Sequence, residues 1–220
     1  MTSWVSELQT SIKDARSLLL ALDLDPTDFP DLDLFPEFPL RVPLAFVDRM
    51  QKGNLDDPLL RQVLSLNQES WVVPGFSEDP LEEHETNFPG ILHKYSSRVL
   101  VILRGGCAIN CRYCFRRHFP YRDQTLTKRS FKHLLAYLNK ENAINEVIFS
   151  GGDPLMADDS SLGEVIQAVG SLTSIKRIRF HTRLPVVLPN RVTAGLIRVF
   201  RDAPVPVILV LHSNHAQEID

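Results

Sequence analysis

"RVLVILRGGCAINCRYCFRRHFP", residues 98 to 120, decides the architecture. It opens with a run rich in Val and Ile, of the length and composition of a buried parallel strand, and a glycine pair and three cysteines follow directly. Three further runs of this kind come later: "EVIFS" (146–150), "RIRFHT" (177–182) and "VPVILVLH" (205–212). Between the runs, apolar residues recur at helical spacing. They are Phe131, Leu134, Leu135 and Leu138, then Leu162, Val165, Ile166 and Val169, then Val192, Leu196, Ile197 and Phe200. Strand alternating with helix predicts right-handed βαβ units, hence an α/β fold with a parallel sheet or partial barrel of four strands. Ligands in such folds collect beyond the carboxyl ends of the strands. The cysteines follow the first strand, "SGGDP" the second, "HTRLP" the third and "HSNH" the fourth, so all four motifs are expected at one mouth.

Upstream the rhythm differs. Val5, Leu8, Ile12, Ala15, Leu19 and Leu22 recur at intervals of three and four, which predicts one amphipathic helix stopped by Pro26. Residues 25–43 hold five prolines and read as an extended wrap, because proline lacks the amide donor and disfavours helical angles before it. Short helices are expected at Leu44 to Gln51, opened by Pro43, and around Pro58 to Leu66, with residues 72–90 as loop. The expected organisation is an irregular, mainly helical region over 1–90 and a βα region over 91–220.

A chain of 220 residues with 44% hydrophobic and 23% charged residues can bury a sizeable core. A net charge of -3 gives no general attraction to nucleic acid or an acidic membrane. No apolar run approaches the roughly 18 residues of a membrane span. "MTSWVSELQT" has neither the basic start nor the apolar block of a secretory signal, so the cytoplasm is the expected location.

All three cysteines lie within eight positions: Cys107, Cys111 and Cys114, spaced C-x3-C-x2-C. An odd, clustered set argues against a disulfide framework. Soft thiolates select zinc, copper(I) or iron–sulfur clusters. Three thiolates leave either one iron of a cubane open to another ligand, or a zinc completed by a histidine such as His118. The spacing alone leaves both open.

C-x3-C-Φ-x-C with Tyr113 at Φ, after the first strand of a βα series, resembles the signature of radical S-adenosylmethionine (SAM) enzymes. The wider string "HKYSSRVLVILRGGCAINCRYCFRRHFPY", with "FSGGDPLM" and "RLPVVLPNRV", resembles the lysine 2,3-aminomutase family. "LRVPLAFVDRMQKGNLDDPLLRQVL" and "PGFSEDPLEEH" are similar to its bacterial branch that makes β-lysine for modifying translation elongation factor P.

The resemblance implies a partial TIM-like barrel for which the family has six strands, and three cofactors. Cys107, Cys111 and Cys114 would hold three irons of a [4Fe-4S] cluster, with SAM on the fourth. Tyr113 would lie near the adenine, Ser150, Gly151, Gly152 and Asp153 would receive the methionyl amine, and His212 would touch SAM. Lys94, Tyr95 and Arg98 would hold the phosphate of pyridoxal phosphate (PLP), two cations and a phenol suiting a dianion. Arg116 would grip the carboxylate of L-lysine with its donor fork, while Arg117 and His118 carry no direct role.

The implied reaction is reductive cleavage of SAM followed by migration of the substrate amino group from C2 to C3, with PLP spreading the radical. An electron donor such as flavodoxin or ferredoxin, and a pathway link to elongation factor P and its lysyl ligase, come with the resemblance. Family members run roughly a hundred residues further, with a glycine-rich lysine segment for PLP. No such segment occurs here, so the chain is expected to be either a fragment of a longer gene product or a naturally shortened form, with no residue of its own to nominate for the Schiff base. A non-catalytic cluster-binding remnant and a zinc-binding interaction module remain the alternatives.

Overall fold

A computed structural model describes residues 3–84 and 88–219. Among the described residues five strands form one sheet in the order β1-β2-β3-β4-β5: Ile91–Tyr95, Arg98–Arg104, Glu146–Gly151, Arg177–Thr182 and Val207–Leu211. β2 through β5 are parallel, and β1 pairs antiparallel with β2 (Ile91↔Val101, Leu92↔Leu100). The helices are α1 (Trp4–Gln9), α2 (Ala15–Ala21), α3 (Leu44–Val47), α4 (Tyr121–Gln124), α5 (Lys128–Lys140), α6 (Asp159–Gly170), α7 (Leu184–Val187) and α8 (Ala194–Arg201). α5, α6 and α8 are the crossovers of three βαβ units.

The four expected strands are β2 to β5, and β1 corrects their number to five. "ILHKY" buries only Ile91 and Leu92 and exposes its last three residues, so it carries no alternating pattern. It is a strand because the chain turns back at Ser96 and Ser97 onto β2. The single N-terminal helix is also corrected: it is two. Ile12 leaves the helical path to exchange backbone hydrogen bonds with Val42 (2.9 Å each way), and Asp14 restarts the helix by capping Ser17 N at 2.8 Å. Helical periodicity cannot register a pairing made thirty residues away. Of the expected α8 face, Leu196 is buried and Ile197 exposed, while Val192 precedes the Thr193 cap. The loop expected over 72–90 is irregular where described, and its residues 85–87 lie outside the described residues.

One continuous apolar core joins the two halves of the chain. Leu18, Leu19, Phe46, Leu59 and Leu60 belong to the same buried cluster as Val99, Val101, Val147, Phe149, Ile178 and Phe180 of the sheet. No helix of the described chain is long and apolar enough to cross a membrane. β5 pairs only with β4 among the described residues, and Ile208, Leu209, Val210 and Leu211 are exposed.

Arg191 is fully buried and locks the segment after β3. Its Nε donates to Leu155 O (2.8 Å), Nη2 to Ala157 O (2.9 Å) and Nη1 to Asp159 Oδ1 (2.8 Å), while the guanidinium lies 4.8 Å from the Trp4 ring. Arg191→Met strands two carbonyls and a carboxylate at once. We expect a loss of about 3 kcal/mol, read as a lowered urea midpoint with unchanged slope.

Candidate active site

The carboxyl ends of the parallel strands open into a cavity of about 910 Å³. Its wall includes Cys107, Cys111 and Cys114 after β2, Ser150 to Asp153 after β3, Thr182 and Arg183 after β4, and His212 after β5. Lys94, Tyr95 and Arg98, on the β1–β2 hairpin, line the same cavity, as do Tyr113 and Arg116. Every residue singled out for SAM, PLP or substrate therefore faces one space.

The cysteine loop takes its shape from the N-terminal half. Asn110 N donates to Arg41 O (3.0 Å), Asn110 Nδ2 to Pro39 O (2.7 Å), and Arg112 N to Gln62 O (2.9 Å). Arg41 Nη1 returns a bond to Cys107 O at 3.1 Å. Glu69 then pins the far side, binding Arg112 Nε at 2.8 Å and Arg117 Nη1 at 3.1 Å. Arg117 is thereby accounted for as an anchor of the loop. Inside the loop Cys114 N bonds Cys111 O at 3.0 Å, which tightens the last turn.

The three thiols are free and half-buried. Burial pushes the Cys107 and Cys114 thiols up, and neighbouring thiol groups push them further. Thiols become thiolates readily beside concentrated positive charge, which a bound metal ion or an iron–sulfur cluster supplies. Among the described residues no three His, Cys, Asp or Glu side chains converge on a single-ion point. All three cysteines line the cavity wall, where they could serve as ligands to separate corners of a larger cluster. The donor set fits that group.

Two glycines bring β2 and β3 into contact at the rim. Gly151 has φ +128°, a conformation that side chains rarely adopt, and a Cβ there would lie 2.2 Å from Arg104 O. At Gly152 it would lie 2.6 Å from Gly106 O. Gly152 N bonds Arg104 O (2.7 Å) and Asp153 N bonds Gly106 O (3.0 Å), so this turn closes onto the glycines that begin the cysteine loop.

Asp153 is a clasp. Its carboxylate accepts from Thr182 Oγ1 (2.8 and 2.9 Å), Leu155 N (2.9 Å), Arg183 N (2.8 Å) and Leu184 N (3.0 Å), engaging both oxygens and joining the ends of β3 and β4. Burial pushes its carboxyl up, against the pull of these donors. Asp153→Asn replaces one acceptor oxygen with a donor in a shell made of donors. A stability loss of about 2 kcal/mol is expected in urea denaturation.

On the opposite wall Arg116 is buried, with Nε on Glu83 Oε2 at 2.7 Å and Nη1 on Ser150 Oγ at 3.1 Å. Lys94 donates to Leu81 O and lies 3.6 Å from Glu83 Oε1. The Arg98 guanidinium stacks 4.4 Å over the Tyr95 ring and pairs with no carboxylate among the described residues, so its charge stays available to an anion. This corner fits a phosphate. His212 bonds Asn214 Oδ1 at 2.8 Å and meets the Tyr113 ring edge-on, with centroids 6.2 Å apart.

Residues 101–213 match the family model described as "Radical SAM superfamily". The chain belongs to that superfamily. Its similar relatives include proteins named L-lysine 2,3-aminomutase in Escherichia coli (strain K12) and in Haemophilus influenzae. The first is 46% identical over 219 residues, covering 99% of this chain and 64% of the relative; the second is 45% identical over 220 residues, covering 99% and 65%. A Bacillus subtilis protein of the same name is 28% identical over 219 residues, covering 98% of this chain and 46% of its own length. The chain thus spans just under two thirds of the length of the first two relatives. Within the radical SAM architecture the cysteine loop and the Ser150 to Asp153 turn sit at adjacent strand ends, each shaping the other.

Four side chains at this radical SAM site were not singled out from the sequence: Glu83, Tyr121, Arg183 and Glu218. Tyr121 donates to Gly151 O at 2.9 Å, and Arg183 reaches the cysteine loop itself. "HTRLP" did mark the position of Arg183 at the mouth. Glu83 gave no signal, since one glutamate among the acidic neighbours of a loop looks solvated.

Proposed function

We propose that the chain is the cluster- and SAM-binding part of an isomerase that moves the amino group of L-lysine from C2 to C3. The observation that carries the reading is the shared cavity, in which three thiols, a glycine-rich turn, a buried arginine and an anion-binding corner face one another. Cys107, Cys111 and Cys114 hold a [4Fe-4S] cluster. Tyr113, Ser150, Gly151, Gly152 and His212 surround SAM, with Asp153 holding that turn in place. Lys94, Tyr95 and Arg98 take the phosphate of PLP, and Arg116 takes the substrate carboxylate. When bound, the cluster and SAM supply a carbon radical, and PLP supplies a π system that spreads unpaired spin.

The protein's own work is placement. Ser150 and Glu83 fix two edges of the Arg116 guanidinium, so that a carboxylate meets a pre-aimed donor. Apolar wall residues Leu92, Ile109, Leu184 and Val187 restrict water near the reacting carbons. The product, β-lysine, serves modification of elongation factor P in the cytoplasm, with a flavodoxin or ferredoxin as electron source.

The test is anaerobic reconstitution with iron and sulfide, followed by EPR of the reduced protein with and without SAM. A [4Fe-4S]⁺ signal that changes on adding SAM is the expected result. Zinc uptake in place of a cluster would sink the reading.

A further inference from the structure

Arg183 occupies a position that placement of a substrate does not explain. Its backbone N is fixed by Asp153, and its side chain crosses the cavity floor toward the cysteine loop. Nη1 lies 2.7 Å from Cys111 Sγ and 2.6 Å from the Tyr113 hydroxyl. Nη2 reaches Gln62 Oε1 and, at 3.2 Å, Glu218 Oε1. The guanidinium also lies 5.3 Å from the centre of the buried Phe46 ring. Both Arg183 and Glu218 are buried, and Gln62 Nε2 holds Glu218 Oε1 at 2.7 Å. The charged and titratable groups facing this cation are therefore Cys111 and Tyr113 of the cysteine loop and Glu218 near the end of the described chain.

We infer that Arg183 is a positioning residue for the iron–sulfur cluster, whose charge and hydrogen bond to the Cys111 sulfur raise the cluster's reduction potential, and that Glu218 sets how much of that charge the cluster feels. Reduction adds one electron to the cluster and its shell of three thiolates. A fixed cation and an N–H donor at a ligand sulfur stabilise the more negative state. In a buried setting that influence is weakly screened, whereas an exposed arginine at the same distance would contribute little. Glu218 opposes it from the other edge of the same guanidinium. The two residues act with opposite sign on one quantity.

The inference rests on the cluster assignment proposed above, and the two can fail separately. The experiment is an EPR-monitored redox titration of reconstituted protein without SAM, with dithionite as reductant and iron and sulfide measured on each sample. For Arg183→Met the ratio of reduced to oxidised cluster at a fixed potential is expected to fall at least tenfold, a shift of about 59 mV for one electron. Arg183→Lys, which keeps the charge, is expected to recover most of it. Glu218→Gln is expected to shift the ratio several-fold the other way, which loosening of the fold would not do.

An Arg183→Met protein with full iron and a wild-type potential overturns the inference. Should Arg183→Met take up no cluster, Glu218→Gln decides, and a potential no higher than wild type overturns it. Wild-type protein that takes up no iron and sulfide overturns this inference together with the reading beneath it.

Discussion

Cys111→Ala is expected to abolish cluster binding, with iron and sulfide falling from about four each per chain to background after anaerobic reconstitution. Cys111 is the middle one of the three proposed ligands, and its sulfur is the one that Arg183 touches at 2.7 Å. Two remaining thiols cannot hold a cubane against loss of iron. The variant should keep its fold, because the loop is shaped by backbone bonds at Asn110, Arg112 and Cys114 that need no thiol at 111. Circular dichroism matching wild type, together with absent iron, would make the loss one of ligation. A variant that retained full iron and sulfide would remove Cys111 from the ligand set and return the question to the other metals that thiols accept.

Gly151→Ala should have the largest effect on stability. Two costs add: the side chain must accept φ +128°, and its Cβ must displace the Arg104 carbonyl, 2.2 Å away, at the rim end of the β2–β3 contact. Together they come to about 4 kcal/mol, a large part of the 5–15 kcal/mol that separates folded from unfolded in ordinary domains. In a chain of this size the melting temperature should drop by about 10 °C. Gly163→Ala is the control, because a Cβ there meets nothing within 4 Å in the middle of α6. If both variants melted together with wild type, the close approach of the two strand ends would not be holding the rim.

β2 and β3 were legible because burial on both faces demands continuous apolar runs, and the expected bounds of β2 and β4 agree with the strands to the residue although β4 alternates buried and partly exposed positions. β1 was not, since "ILHKY" takes its strand conformation from a neighbour and not from its own apolar pattern. The helix drawn through Val5 to Leu22 failed for a related reason: Ile12 is spent on Val42. At the site, the three cysteines and the glycine turn were visible as spacing, and strand order alone brought them to one mouth. What stayed hidden was direction. An acid after Gly-Gly can aim at a ligand or back into the fold, and Asp153 is engaged by Thr182 and by three backbone amides. Arg183 was equally mute, because an arginine after a strand is common and only the fold shows which sulfur it meets.

The contacts between the N-terminal half and the cysteine loop have a consequence for the order of assembly. Pro39, Arg41 and Gln62 offer main-chain carbonyls, and these stay in place when side chains change. Drift in composition along this segment is therefore cheap, whereas a single inserted or deleted residue would slide every carbonyl out of register. The partners also lie fifty to seventy positions apart along the chain, so the thiols gain their arrangement only after that distant closure is complete. Loading of iron then becomes a late event, reporting that the two halves have already met.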